Sequence, residues 1–268
     1  MKNTVIHGDC LEVMKTLEDK SIDMVLTSPP YDNLRDYKGY TFNFEGIAQE
    51  IYRVLKDGGV CVWVVGDATI KGSETGTSFK QALYFKEIGF NIHDTMIYKK
   101  NTSTFPARKN SNRYTSIFEY MFVFSKGIPK ANLICDKKNK WGGHTTWGNT
   151  WNRKGDVLIK SDHKITFPEY SPRENIWEYK VGRGAFSGKG GIKDHPAVFP
   201  EKLAEDHILS WSNEGDIILD PMAGSGTTLK MAKKNNRNYI GIETSQEYID
   251  IINKRILEYL TTPLNKNL

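Results

Sequence analysis

Short apolar runs alternate with amphipathic segments along most of the chain. The apolar runs have the length and composition of buried strands, and they occupy residues 4–9, 23–26, 60–65, 92–98, 116–124, 216–220 and 238–243. Apolar positions recur at helical spacing in residues 10–17, 44–55, 78–88, 201–211, 229–234 and 246–259. Strands that alternate with helices indicate an α/β domain with a mostly parallel sheet covered on both faces.

The pattern is interrupted in residues 126–194, where helical periodicity is poor and glycines cluster. This segment holds 14 Lys and Arg against seven Asp and Glu, a net charge of +7 that exceeds the +5 of the whole chain. It also contains four of the six tryptophans. We therefore predict a loop-rich insert between two halves of the α/β domain, residues 1–125 and 195–260, followed by a polar tail, residues 261–268.

Composition excludes several classes of protein. Because there is no apolar run of 18 residues, we expect no membrane span. The first residues lead directly into a strand-like segment, so we expect no signal peptide. The three cysteines have neither metal-ligand spacing nor an even disulfide framework, which favours the cytoplasm and no metal site. The sequence pI of about 8.9 hints at a polyanionic partner.

Residues 27–31, Thr-Ser-Pro-Pro-Tyr, follow the second predicted strand. The two prolines stiffen the strand exit, and because Pro30 has no N–H, the carbonyl of Pro29 can point outward. Ser28 adds a hydroxyl and Tyr31 a flat aromatic face. Such a turn suits the binding of a planar amine. A proline-terminated strand followed by a surface tyrosine is the simpler alternative.

Residues 220–227, Asp-Pro-Met-Ala-Gly-Ser-Gly-Thr, follow another predicted strand and precede a helix. The glycines allow a ligand to approach the backbone, and the helix N-terminus offers free N–H groups. The segment lacks the lysine of a phosphate-binding loop and the third glycine of the dinucleotide fingerprint. Asp220 would repel a pyrophosphate, whereas Glu243, 23 residues later, ends the strand where nucleotide folds hold ribose hydroxyls.

This pocket therefore suits a nucleoside with a positive group and no phosphates, namely S-adenosylmethionine. Ligands of parallel sheets bind beyond the carboxyl ends of the strands, so we expect residues 28–31, residues 220–226, Glu243 and Asp9 to share one edge. Asp9 is either an acceptor for the adenine amine or a plain helix cap. Asp220 as a turn former and Glu243 as a solvated acid are the structural alternatives.

The two motifs together resemble those of the amino-group DNA methyltransferases of restriction–modification systems and phages. The catalytic motif comes before the cofactor motif, with a basic segment between them, and this order resembles the permuted β class. The resemblance implies a Rossmann-like, circularly permuted methyltransferase fold with a seven-stranded sheet and a target-recognition insert. It implies the catalytic residues Ser28, Pro29, Pro30 and Tyr31. The implied cofactor-binding residues are Asp9, Phe199, Asp220, Pro221, Ala223, Gly224, Ser225, Gly226, Thr227 and Glu243.

In that family the amine of an extruded base would donate hydrogen bonds to Ser28 and to the carbonyl of Pro29, while Tyr31 stacks on the base. Cytosine-C5 chemistry is disfavoured because the chain has no Pro-Cys. A serine before Pro-Pro-Tyr is common in cytosine-N4 enzymes and an aspartate in adenine-N6 enzymes, so the resemblance favours cytosine N4. Adenine N6 is the alternative. More distant alternatives are RNA or protein-amide methylation, a non-catalytic DNA-binding module and a nucleotide-dependent kinase or ATPase.

Double-stranded DNA is the partner that the resemblance implies. Lysines of the insert would contact phosphates, and arginines would contact base edges or phosphates. The candidate DNA-binding residues are Arg35, Arg108, Arg113, Arg153, Arg173 and Arg183. A solvated basic loop set is the structural alternative for the insert. A cognate restriction endonuclease and a second copy of the chain are further candidate partners.

Overall fold

The computed structural model describes residues 2–30, 42–102, 112–154, 157–181 and 200–261. In chain order the elements are β1 (Thr4–His7), α1 (Cys10–Met14), β2 (Ile22–Thr27), α2 (Phe44–Val54), β3 (Leu55–Val65), β4 (Thr69–Ile70), β5 (Ser73–Glu74), α3 (Thr77–Glu87), β6 (Asn91–Lys100), β7 (Phe118–Ser125), β8 (Lys137–Lys138), β9 (Thr145–Lys154), β10 (Val157–Thr166), β11 (Tyr170–Ser171), β12 (Ile176–Tyr179), α4 (Glu201–Trp211), β13 (Ile217–Asp220), α5 (Thr227–Lys234), β14 (Asn238–Glu243) and α6 (Gln246–Thr261).

One sheet of eight strands runs through the described residues in the order β1-β14-β13-β2-β3-β7-β6-β12. All neighbouring pairs are parallel except those that β7 makes with β3 and with β6. Counted from β13, the first five strands follow the order 3-2-1-4-5 of a doubly wound nucleotide-binding sheet. The predicted permutation is therefore confirmed, because the strand that such folds place first comes near the end of this chain.

Helices cover both faces of the sheet, as predicted. Side chains of successive strand residues point to opposite faces, and on one face Val25, Cys61 and Trp63 pack with the apolar residues of α1, α2 and α3. The alternate residues, such as Met24 and Val62, are also fully buried. A sheet buried on both faces explains why its central strands are continuous apolar runs.

Two details differ from the sequence prediction. The sheet has eight strands in the described residues rather than seven, because β12 pairs in parallel with β6 although its sequence was assigned to the insert. Residues 56–59, which lie between the predicted helix 44–55 and the predicted strand 60–65, belong to a strand, because β3 begins at Leu55 directly after α2. Gly58 adopts a φ of 82° within this strand.

Residues 133–174 form a second compact unit, narrower than the predicted insert. Within it, β9 and β10 pair as an antiparallel hairpin, with Trp147 opposite Lys164, and β8 pairs with β11. The unit therefore contains more regular structure than the loop-rich insert that the sequence predicted.

None of the helices in the described ranges is both long and apolar enough to span a bilayer.

Candidate active site

The order of the sheet reverses between β13 and β2, and ligands of doubly wound folds bind in the crevice at this point. The backbone ladder between the two strands pairs Ile218 with Met24 and Leu219 with Val25. Beyond this ladder, β13 ends at Asp220 and β2 ends at Thr27. The two motifs singled out in the sequence thus lie side by side at the carboxyl edge of the sheet.

A buried hydrogen bond joins the two motifs directly. The hydroxyl of Thr27 donates to Oδ1 of Asp220 at 2.8 Å, across 193 positions of sequence. Thr27 is fully buried and Asp220 is 2% exposed. The amide of Met222 also donates to Oδ1 of Asp220 at 3.2 Å, and the hydroxyl of Thr228 is a further hydrogen-bond partner of this carboxyl.

The buried position of Asp220 changes the pKa of its carboxyl. Burial raises the pKa of its carboxyl from 3.8 to about 6, against the opposing effect of the hydrogen bonds from Thr27, Thr228 and Met222. The nearby carboxylate of Glu243 raises this pKa further. At neutral pH the site therefore holds a desolvated negative charge that a bound cation would stabilise.

The glycine loop that follows Asp220 depends on two residues with positive φ. Gly224 has a φ of 51°, and Gly226 has a φ of 77° and precedes the first residue of α5. A Cβ on Gly226 would lie 2.8 Å from Cγ1 of Ile252. A side chain at this position would therefore clash with Ile252, and the positive φ would also be unfavourable for it.

Glu243, at the end of β14, supports the loop from the neighbouring strand. Its carboxylate accepts hydrogen bonds from the amide of Gly224 at 2.8 Å and from the amide of Ser245 at 2.9 Å. Oε1 also accepts from the hydroxyl of Thr244 at 3.4 Å, whereas Oε2 has Gly224 as its partner and keeps a second lone pair that could accept from a ligand hydroxyl. Asp9 lies on the adjacent strand end, where Gly8 donates to the carbonyl of Glu243 at 3.0 Å.

Asp9 has the capping role that was one of its two sequence interpretations. Its Oδ1 accepts from the amide of Glu12 at 3.1 Å and so caps α1. The four predicted strand ends, including Asp9, therefore share one edge of the sheet, while Asp9 also has a structural function.

A partly buried charge cluster that contacts the glycine loop was not predicted from the sequence. The guanidinium of Arg255, on α6, donates to the carbonyl of Ser225, to its hydroxyl at 3.2 Å and to the hydroxyl of Thr227 at 3.4 Å. It also pairs with Glu201 at 3.0 Å, which binds Lys230 at 2.7 Å. Arg255 therefore holds both the main chain and the side chain of Ser225 in place.

The turn that the sequence predicts to be catalytic is described as far as Pro30. Pro29 is buried, whereas Ser28 and Pro30 are partly buried. Pro221 and Ala223 of the cofactor motif are also buried. Tyr31 and Phe199, predicted to contact the base and the adenine, lie outside the described residues.

The structure describes the side chains of two of the six candidate DNA-binding arginines. Arg113 donates a hydrogen bond to the carbonyl of Gly72 and lies 3.9 Å from Glu74. Arg173 forms an ion pair with Asp136, so a DNA contact from Arg173 would have to share the guanidinium with this carboxylate.

Of the other four candidate arginines, one lies on a described strand. Arg153 lies opposite Leu158 in the register of β9 and β10. Arg35, Arg108 and Arg183 lie outside the described residues.

Comparison with known proteins assigns the family. A family model described as DNA methylase matches residues 22–254. The chain belongs to this N6/N4 DNA methylase family. The predicted resemblance and the enzyme class are thereby confirmed, and both the cytosine-N4 and the adenine-N6 alternatives fall within the family.

Individual relatives agree with this assignment. The orphan methyltransferase M.BamHII of Bacillus amyloliquefaciens is 57% identical over 248 residues, which cover 92% of each chain. The PvuII DNA methyltransferase, described as cytosine-N4-specific, has the same fold with a TM-score of 0.71 at 22% identity, covering 100% of this chain and 88% of that one. A putative DNA modification methylase from Thermus thermophilus, complexed with S-adenosyl-L-methionine, has a TM-score of 0.63 at 23% identity, covering 96% and 95%.

Proposed function

We propose that this methylase transfers a methyl group from S-adenosyl-L-methionine to the exocyclic N4 amine of a flipped cytosine in duplex DNA. The observation that carries the proposal is the hydrogen bond of 2.8 Å between Thr27 and Asp220, which brings the Ser-Pro-Pro turn next to the glycine loop. A group-transfer site needs its donor and acceptor pockets in contact, because reacting atoms must approach within a few ångströms.

The residues at the strand ends fit the proposed cofactor. When bound, S-adenosyl-L-methionine supplies an electrophilic methyl group on a positively charged sulfur. Asp220 offers a buried negative charge, Glu243 offers acceptors for ribose hydroxyls, and the N-terminus of α5 after Gly226 offers backbone N–H groups. The relative from Thermus thermophilus, which shares the fold, is described with this cofactor bound.

Ser28 and Pro29 are the residues that we assign to the amine. Its lone pair is delocalised into the ring, and hydrogen bonds from the amine to the Ser28 hydroxyl and the Pro29 carbonyl would localise it on nitrogen. The same two oxygens would stabilise the positive charge that develops before the amine loses a proton. Tyr31 would stack on the extruded base, and Phe199 would contact the adenine of the cofactor.

Cytosine N4 is favoured over adenine N6 by the neutral hydroxyl of Ser28, which stands where an aspartate is common in adenine-N6 enzymes. The fold shared with a cytosine-N4-specific enzyme also supports this choice. Adenine N6 is the second candidate, because the family that the chain belongs to includes both chemistries.

A nuclease partner is not part of the proposal. The 57% identical relative is described as an orphan methyltransferase, which favours an enzyme without an obligate cognate endonuclease. The cytoplasmic location and the second copy of the chain stay predictions from the sequence.

The substrate can be tested with labelled cofactor and three acceptors: duplex DNA, RNA and protein. We expect label on duplex DNA alone. Ser28→Ala should keep cofactor and DNA affinity and lose most methyl transfer. Ser21→Ala is a matched control, since Ser21 precedes the same strand and donates only a local hydrogen bond to the carbonyl of Glu18 among its described contacts. Transfer by Ser28→Ala at the rate of Ser21→Ala would refute the assignment.

A further inference from the structure

We propose that Thr27 is a positioning residue that holds the carboxylate of Asp220 in place for the cofactor and fixes the catalytic turn against the cofactor loop. The inference rests on the proposed function, because it takes the cofactor to be the positively charged S-adenosyl-L-methionine. Neither the motifs nor the family assignment gives Thr27 this role.

The first support is the geometry of the crevice. The described backbone ladder between β13 and β2 stops at Leu219 and Val25, one residue before Asp220 and two before Thr27. Beyond it, side chains bridge the diverging strand ends. Thr27 donates to Asp220 at 2.8 Å, and Thr228, in α5, donates to the carbonyl of Leu26 at 3.2 Å.

The second support is the sequence position of the two bonded residues. Thr27 comes directly before Ser28, and Asp220 directly precedes the loop that carries Gly224 and Gly226. The bond therefore joins the last strand residues before each half of the site. On its other side Thr27 pairs with Trp63 of β3, a fully buried residue, so the hydroxyl is held on a rigid support.

The third support is the charge environment of Asp220. Among the residues that the structure describes, the groups that face its carboxyl are the hydroxyls of Thr27 and Thr228, the amide of Met222 and the carboxylate of Glu243. Burial and, to a smaller extent, Glu243 raise the pKa of this carboxyl, whereas its hydrogen bonds with Thr27, Thr228 and Met222 lower it and so favour the ionised form. Removal of the Thr27 donor would raise the pKa of Asp220 further and so increase the protonated fraction of its carboxyl in mildly acidic solution.

This role differs from simple packing. Valine has nearly the shape of threonine and suits a strand, so Thr27→Val removes the hydrogen bond with little change in volume. Thr27→Ser keeps the hydroxyl and removes a methyl group. If the hydroxyl acts through Asp220, the valine and serine variants should differ in cofactor affinity. The loss of affinity in the valine variant should also depend on pH.

The test is to titrate S-adenosyl-L-methionine into wild type, Thr27→Val and Thr27→Ser between pH 5.5 and 8.5, and to record the pH profile of kcat. A hydrogen bond to a charged group corresponds to about tenfold or more in affinity. We expect Thr27→Val to bind at least about tenfold more weakly near pH 6.5 and to recover partly at pH 8.5, with the acid limb of kcat moved to higher pH. Thr27→Ser should behave as wild type.

Ser210→Ala provides the control for loss of a buried hydroxyl, because Ser210 is 2% exposed and donates to the carbonyl of Asp206 at 2.7 Å. A Thr27→Val profile that coincided with wild type would overturn the inference. Equal, pH-independent losses of cofactor affinity in Thr27→Val and Ser210→Ala would also overturn it. The cofactor titration is carried out without DNA, so a wild type that bound cofactor without methylating DNA would refute the proposed substrate, and the binding comparison would still decide the role of Thr27.

Discussion

Replacement of Asp220 by asparagine should make the protein more stable and less active. Burial raises the pKa of Asp220 from 3.8 to about 6. The folded state therefore favours the protonated acid, and stability falls as pH rises from about 4 to about 6. A rise of about two pKa units corresponds to about 3 kcal/mol, which is fully lost above pH 7 and about half lost at pH 5.

The asparagine side chain would carry no charge at any pH, while its oxygen could still accept from Thr27 and Met222. We therefore expect Asp220→Asn to raise the free energy of unfolding by up to about 3 kcal/mol at pH 8 and by about half as much at pH 5. Urea denaturation at both pH values measures this difference. Asp250→Asn, at an exposed position of α6, is the control. A variant that was no more stable than wild type at pH 8, or a gain independent of pH, would refute the reasoning.

Three further predictions concern the same framework. Gly226→Ala should lower the free energy of unfolding by about 1–3 kcal/mol and weaken cofactor binding, because the new methyl group would meet Ile252 and the φ is positive; thermal melts and cofactor titration measure both effects. Burial lowers the pKa of His207 from 6.5 to about 3, so the free energy of unfolding should fall as pH drops below 6.5. Between pH 7 and pH 5, His207→Gln should therefore lose about 2 kcal/mol less of this free energy than wild type, as measured by urea denaturation. Equal losses in the two proteins would contradict this. Arg255→Met should weaken cofactor binding without changing DNA binding, because it removes the hydrogen bonds that hold Ser225. An unchanged dissociation constant for the cofactor would show that Arg255 does not support the cofactor loop.

Elements with a strong periodic signal were predicted well. The helix α4 (Glu201–Trp211) and the strand β14 (Asn238–Glu243) have the predicted bounds, because their apolar positions follow one period. The strand β12 was missed, since it has only four residues in a charged segment and buries only Trp177 and Tyr179. The hairpin of β9 and β10 was missed because its residues are mostly polar and show no apolar alternation.

The part of the site that lies at the carboxyl edge of the parallel sheet could be predicted from the sequence. All parallel strands end at the same edge, so Asp220 and Ser28 could be placed together without coordinates. Which strands are neighbours depends on the strand order, and the bond between Thr27 and Asp220 exists only because β13 lies beside β2. Arg255 gave no signal, because a basic residue in an amphipathic helix is ordinarily solvated and nothing local marks it as buried.

The most direct test of the central claim is to identify the modified base. Plasmid DNA treated with the enzyme and S-adenosyl-L-methionine is digested to nucleosides and analysed by mass spectrometry. The account predicts N4-methylcytosine from wild type and almost none from Ser28→Ala. N6-methyladenine would contradict the assignment to cytosine, and the absence of any methylated nucleoside would contradict the claim that the two adjacent motifs form a DNA-methylating site.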